Sequence, residues 1–221
     1  MKHHKPVRKI PTNRRSSRGY YAFRGQESIP HESTVERDFV MLMEFDGKVD
    51  KIVSQPIELS YVDLNGRRQR YTPDYLVYFK NSASKPLLVE VKERVEIQKD
   101  FKKLKPKFAA GIKAATENGW IFKIADDTRI RGLFLDNVRK LRNFSARSVT
   151  PETRALLLEW MSATAMPVSL KDFLTKFTAN RNEYLGLFNK VLLLALQHDI
   201  ELDLTKPLSE KTMILKVNAH D

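Results

Sequence analysis

An α/β body followed by a small helical module is the fold class predicted for this chain. Three features predict it. Apolar residues switch between helical and strand-like spacing over residues 30–142, turn signals separate those segments, and a second set of helical stretches follows a small-residue linker. The chain has 221 residues, 42% of them hydrophobic and 30% charged, a globular composition rather than a disordered or fibrous one. That length accommodates one generous core, or one core and a small second module.

Taken in chain order, residues 1–29 are rich in Pro, Ser and Gly and show no apolar period, which reads as an extended basic arm. A solubilising tail would have the same composition. Ser33-Thr34-Val35-Glu36 has the spacing of a capping box. Val35, Phe39, Leu42 and Met43 continue it as an amphipathic helix over 34–45, ended near Gly47. Strand-like runs follow at 57–63, 69–79 and 86–94. Leu64-Asn65-Gly66 marks a hairpin between the first two, and Asn81-Ser82-Ala83-Ser84 a turn between the second and third. A basic helix over 97–117 carries Ile97, Phe101, Leu104, Phe108 and Ile112 at helical spacing and stops at Gly119. Residues 120–124 read as a short buried strand. Residues 131–142 read as a helix bearing Leu133, Phe134, Val138 and Leu141.

Residues 145–151 are small and polar and end in Pro151, a residue suited to the first turn of a helix. The expected organisation is therefore an arm over 1–29, a mixed-sheet body over 30–147 and a C-terminal domain over 148–221. In the last, 151–163, 169–177 and 183–198 read as helices, with Leu156, Leu157, Trp160 and residues 192–196 as their core. Residues 200–204 and 212–217 alternate like a closing hairpin. Three helices and a hairpin predict a winged-helix-like module.

Charge divides along the same lines. The chain holds 39 Lys+Arg against 27 Asp+Glu, a net charge of +12. Residues 1–29 carry eight basic residues and one acid, a net of +7; residues 30–149 carry +6, and 150–221 carry −1. A polyanion is the natural partner of the first two parts, nucleic acid ahead of a membrane surface. The near-neutral tail suits protein docking. The longest apolar run, residues 191–196, is far too short to span a membrane, and no apolar stretch follows the basic N-terminus as a secretory signal requires. The absence of cysteine excludes disulfides, thiolate catalysis and Cys-ligated zinc, and fits a reducing interior. His3, His4, His31, His198 and His220 have no metal-ligand spacing, and no Gly-rich phosphate loop is present.

Chemistry points to Pro73-Asp74 and, after fifteen intervening residues, Glu90-Val91-Lys92. On a strand Glu90 and Lys92 share one face, while Val89 and Val91 turn with Leu87 toward the core. Two acids and a lysine exposed on neighbouring strands suit metal-assisted phosphodiester hydrolysis. Carboxylates hold Mg²⁺, which retains most of its waters. The metal polarises the phosphoryl group. The lysine either orients the attacking water or neutralises developing charge. Glu36 could reach the same cluster from its helix, although a capping box by itself explains a glutamate three residues after Ser33. An exposed charged strand face would explain Glu90 and Lys92 equally, and a strand-start residue after proline would explain Asp74.

The run Glu32-Ser33-Thr34-Val35-Glu36-Arg37-Asp38-Phe39, then Ile52-Val53-Ser54-Gln55-Pro56, Tyr71-Thr72-Pro73-Asp74-Tyr75 and Leu88-Val89-Glu90-Val91-Lys92, resembles the TnsA family. These are the endonuclease subunits of heteromeric cut-and-paste transposases. The likeness covers about residues 20–125. It implies a restriction-endonuclease-like PD-(D/E)xK fold, Mg²⁺ (with Mn²⁺ able to substitute), and Glu36, Asp74, Glu90 and Lys92 as the catalytic residues. Asp74, Glu90 and Glu36 would be the metal ligands, with Glu90 at a position that is Gln in some relatives. Gln55 matches a recurrent Gln of the family, and serves as well as a turn residue before Pro56. The resemblance further implies cleavage of the 5′ strands at the ends of a transposon in double-stranded DNA. The partners it implies are a DDE-type transposase, TnsB, and an ATPase regulator, TnsC, contacted by the C-terminal part. A bacterial cytoplasmic, nucleoid-associated location follows. A junction-resolving or repair nuclease, and a catalytically silent DNA-binding adaptor, are the competing expectations.

Overall fold

A computed structural model describes residues 18–145 and 147–218. Residues 1–17 of the expected arm lie outside the described residues. The chain divides into two compact units between Arg131 and Gly132.

The first unit opens with a hairpin that corrects the reading of 18–29 as part of an extended arm. Strands β1 (Gly19–Phe23) and β2 (Glu27–His31) pair antiparallel, with Tyr21 opposite Ile29. Tyr21, Phe23 and Ile29 are buried at every second position. Arg24 and Gly25 both take left-handed backbone conformations to make the turn. The alternation is only two or three residues long on each strand, too short to stand out among the surrounding charges.

Helix α1 (Thr34–Phe45) starts where the capping box places it. Ser33 Oγ accepts the Glu36 amide at 3.1 Å and donates to Glu36 Oε1 at 3.0 Å, while Glu36 Oε2 accepts the Glu32 amide at 2.8 Å. The buried Asp38 carboxylate takes Arg131 Nε at 2.9 Å. That pair ties α1 to the end of the unit.

The central sheet has four strands in the order β3 (Val49–Ser54), β6 (Tyr75–Phe79), β7 (Leu87–Lys92) and β8 (Ile121–Asp126). The first two pairings are antiparallel and β7–β8 is parallel. Parallel neighbours need a long crossover, which is helix α2 (Arg94–Glu117). It kinks at Asp100, and Pro106 lies within it. Farther on, a Cβ at Gly111 would come within 2.5 Å of the Phe122 ring, so only glycine lets the helix lie this close to β8. Val53, Leu76, Tyr78, Leu88 and Ala115 form one core cluster between helix and sheet. Helix α3 (Asp127–Ile130) follows β8.

The expected strand over 69–79 is two strands in two sheets. Strand β5 (Arg68–Tyr71) pairs only with β4 (Leu59–Val62) as a ribbon. The chain then breaks at Thr72-Pro73-Asp74 before entering the central sheet as β6. Proline lacks the ladder donor, so it ends the ribbon there. The break leaves Asp74 at the head of β6, beside β7.

The second unit contains α4 (Leu133–Arg142), α5 (Pro151–Ser162), α6 (Leu170–Leu174) and α7 (Arg181–Leu196). Its sheet, β10 (Ile200–Leu202), β11 (Met213–Val217) and β9 (Val168–Ser169), is antiparallel throughout. Helix α4, expected in the nuclease body, belongs here. The fully buried Asn137 donates to the carbonyls of Leu204 and Lys206 and accepts the Leu208 amide at 3.0 Å. Those three bonds satisfy the loop between β10 and β11, so α4 is part of this unit's core. Arg154 grips the buried Asp199 carboxylate through two bonds of 2.7 and 2.6 Å. Trp160 stacks on Phe177 with ring centres 4.0 Å apart. No helix among the described residues is long and apolar enough to cross a membrane.

Candidate active site

Strands β6 and β7 meet where the break before β6 leaves Asp74. The Val91 amide donates to Asp74 Oδ2 at 2.7 Å, and the Asp74 carbonyl accepts the Gln55 amide at 2.7 Å. Asp74 Oδ1 accepts no hydrogen bond among the described residues. Glu90, one residue before Val91, is 2% exposed. This corrects the expectation of an exposed strand face. Strand β7 has a neighbour on each side and is covered on both faces, as strands with a parallel partner usually are.

A buried carboxylate has to be partnered, and both oxygens of Glu90 are. Tyr71 Oη donates to Oε2 at 2.8 Å, and Lys107 Nζ sits 2.6 Å from Oε1. The same ammonium lies over the Tyr71 ring, 4.3 Å from its centre. Burial and the adjacent carboxylates of Glu90 and Asp74 push the Tyr71 phenol far above its ordinary value, so it serves only as a donor. Tyr71→Phe therefore removes a bond that nothing else replaces. The expected cost is about 1–2 kcal/mol in urea unfolding; an unchanged midpoint would show that Tyr71 does not hold Glu90.

Asp74 feels burial first, then the charges of Glu90 and Glu36, and its pKa rises well above the carboxylate range. Burial likewise raises Glu36, against the bonds from Glu32 and Ser33. The Glu36 carboxylate also receives the Tyr75 hydroxyl at 3.4 Å. For Lys92, partial burial pulls the pKa down. Glu96 at 3.0 Å, with Glu90 and Asp74 behind it, outweighs that and leaves the ammonium above its ordinary value. Of the two roles open to Lys92, charge neutralisation fits a lysine that stays protonated.

Among the described residues, no group of three or more Asp, Glu or His side chains is arranged to hold a metal. The reason is visible in the bonds. Glu36 is turned into its own helix start, and Glu90 is occupied by Tyr71 and Lys107. The donors still suit Mg²⁺. That ion takes hard oxygen ligands, commonly one or two carboxylates with the rest water. Asp74 Oδ1 accepts no hydrogen bond among the described residues, Glu90 Oε1 is held by the Lys107 ammonium, and the buried Gln55 Oε1 has no partner among the described residues. Gln55 also holds a left-handed backbone, φ 46°, at its bond to Asp74. A non-glycine residue kept in that region signals a constrained position.

Asp74, Glu90 and Lys92 thus lie together as the spacing predicts, with Glu36 linked to them through Tyr75 and through charge. Tyr71, Tyr75, Glu96 and Lys107 were not foreseen. Lys107 had a signal: it lies between Leu104 and Phe108 on the inward face of α2, where a lysine needs a buried acid.

Residues 46–127 match the family described as the TnsA-like endonuclease N-terminal domain. The matched segment contains Asp74, Glu90 and Lys92, and stops short of Glu36. It supports a nuclease domain of a kind related to transposition. No curated protein matches the chain.

Proposed function

We propose that this chain is a Mg²⁺-dependent DNA endonuclease subunit of a transposase, cutting the 5′, non-transferred strands at transposon ends. One observation carries the reading: the segment matched by the TnsA-like endonuclease domain is the one whose folding gathers Asp74, Glu90 and Lys92 at one sheet junction.

Asp74 and Glu90 would hold the ion; Glu36 would join them only by releasing the Glu32 amide. Bound there, Mg²⁺ would supply Lewis-acid polarisation of the scissile phosphate. The protein's own side chains do the rest. The Val91 amide fixes Asp74 through Oδ2 and leaves Oδ1 free. Tyr71 orients Glu90, and Lys107 balances its charge. Lys92, held protonated by Glu96, places a positive charge where the phosphate gains a negative one.

The second unit is read as the winged-helix-like docking module. Its helices precede the β10–β11 hairpin, and residues 150–221 carry a net of −1, which favours a protein partner. The partners on this reading are the TnsB-type transposase, which cuts and joins the other strands, and the TnsC-type ATPase.

End-labelled transposon-end duplex, incubated with Mg²⁺ or Mn²⁺ and with or without the transposase, tests the assignment. The expected product is a cut confined to the 5′ strand and dependent on the transposase. Efficient cutting of branched DNA by the chain alone would make it a junction-resolving or repair nuclease. No cutting with every partner present would make it an adaptor.

A further inference from the structure

We propose that the outer face of the β4–β5 ribbon is a phosphate-binding surface that holds duplex DNA on the ribbon leading into the acidic centre. The inference rests on the endonuclease reading above and adds to it the place where the substrate lies.

The ribbon's register is Leu59↔Tyr71, Ser60↔Arg70, Tyr61↔Gln69 and Val62↔Arg68. Side chains alternate across a strand, so Ser60, Val62, Arg68 and Arg70 share one face. Leu59, Tyr61, Gln69 and Tyr71 share the other. The second face is the covered one: Tyr71 is buried, and Leu59 and Tyr61 are half-buried. The first face is bare. All four of its residues are exposed, Val62 at 59% and the Arg70 side chain at 82%.

This bare face is cationic and its charges are available. Arg68 has no acidic partner among the described residues. Arg70 meets only Glu58, at 3.7 Å and in open solvent. An exposed pair of that kind is weak and readily exchanged for a phosphate. Arg68 and Arg70 are two residues apart on one strand, about 7 Å. Phosphates advance about 3.4 Å along the duplex axis per nucleotide on one strand, so the two guanidinium groups fall on separate phosphates. Beside them lies a shallow groove of about 460 Å³ lined by Glu58, Leu59, Ser60, Arg68, Gln69 and Arg70.

The ribbon is also held stiff. Asp63 accepts the amides of Asn65 and Arg67, both at 2.9 Å, and Gln69 Nε2 at 3.0 Å, which fixes the tip. At its other end, Tyr71 follows Arg70 directly and donates to Glu90. Arg70 thus neighbours, along the chain, a residue that touches the acidic centre from the ribbon's opposite face. Contacts of this type set the register of the duplex and read no sequence.

The test is duplex binding by the full chain in EDTA, followed by fluorescence anisotropy across a salt series. Each phosphate contact adds about 0.9 to the slope of log K against log salt. Arg68→Ala with Arg70→Ala is expected to lower that slope by about 1.8, equally for end and unrelated sequences, with an unchanged thermal midpoint. Lys80→Ala with Lys85→Ala removes the same charge at the far end of the sheet and is the control. An unchanged slope in the arginine variant, or an equal fall in the lysine control, overturns the proposal. Either result leaves the endonuclease reading standing as long as Asp74-dependent cleavage persists. Failure of the unaltered chain to bind duplex at all overturns the surface, while the endonuclease reading is decided by cleavage in the presence of the transposase.

Discussion

Asp74→Asn abolishes strand cleavage, with a loss of at least about a thousandfold in single-turnover rate on end DNA in the presence of the transposase. A ligand carboxylate supports Lewis-acid stabilisation worth several kcal/mol, and about 4 kcal/mol corresponds to a thousandfold. Asparagine is the informative substitution because its carbonyl oxygen can still accept the Val91 amide, so the junction between β6 and β7 stays closed. The same variant has a second signature in the absence of metal. Burial and the charges of Glu90 and Glu36 raise the Asp74 pKa from an ordinary value of 3.8. Between that value and the raised one, the unfolded chain has released the proton while the folded chain retains it, so stability falls as pH rises. Below pH 3.8 the group is protonated in both states and the penalty vanishes. In EDTA the variant should therefore melt higher than the unaltered protein at neutral pH, and the gap should close toward acid pH. Retained cleavage would remove Asp74 from the active site. A lower melting point at neutral pH would show that its ionised form stabilises the fold.

The parts of this fold that a linear pattern specifies were legible. Ser33 and Glu36 marked the start of α1 to the residue, because a capping box is a local device. Leu64-Asn65-Gly66 marked the ribbon turn, where Gly66 takes a positive φ. The elements that went unseen depend on distant neighbours. Strand β3 alternates poorly, since Ile52, Val53 and Ser54 are all buried against β6 and the layers around it. The split of residues 69–79 is a decision between two sheets, which composition does not record. The site shows the same division. Asp74, Glu90 and Lys92 were visible as a spacing, but the burial of Glu90 follows from β8 pairing on its far side. Its partner Lys107 comes from a helix seventeen residues away. The unit boundary moved for a similar reason: Asn137 looks like any surface residue of an amphipathic helix until the loop it satisfies, some seventy residues later, is in place.

Lys107→Met destabilises the metal-free protein by about 3 kcal/mol at neutral pH. The size follows from the setting. Glu90 is almost fully buried and the Lys107 side chain is 21% exposed, so removing the ammonium strands a charge with only the Tyr71 hydroxyl to stabilise it. Breaking a buried pair in this way costs about 3–5 kcal/mol, and the partial exposure of Lys107 places the loss at the lower end. Methionine keeps most of the side-chain volume, so packing against Tyr71 changes little. Adding Glu90→Gln to Lys107→Met should recover much of the loss, because the stranded charge is gone; the double-mutant cycle isolates the pair from the rest of the site. Millimolar Mg²⁺ should stabilise the single variant more than the unaltered protein, because the ion no longer competes with an ammonium for Glu90 Oε1. Urea unfolding of the four proteins, with and without Mg²⁺, measures all three quantities together. A Lys107→Met midpoint equal to that of the unaltered chain would reduce the contact to a surface pair. A loss that Glu90→Gln leaves untouched would assign the effect to packing, and Lys107 would then have no part in balancing the acidic centre.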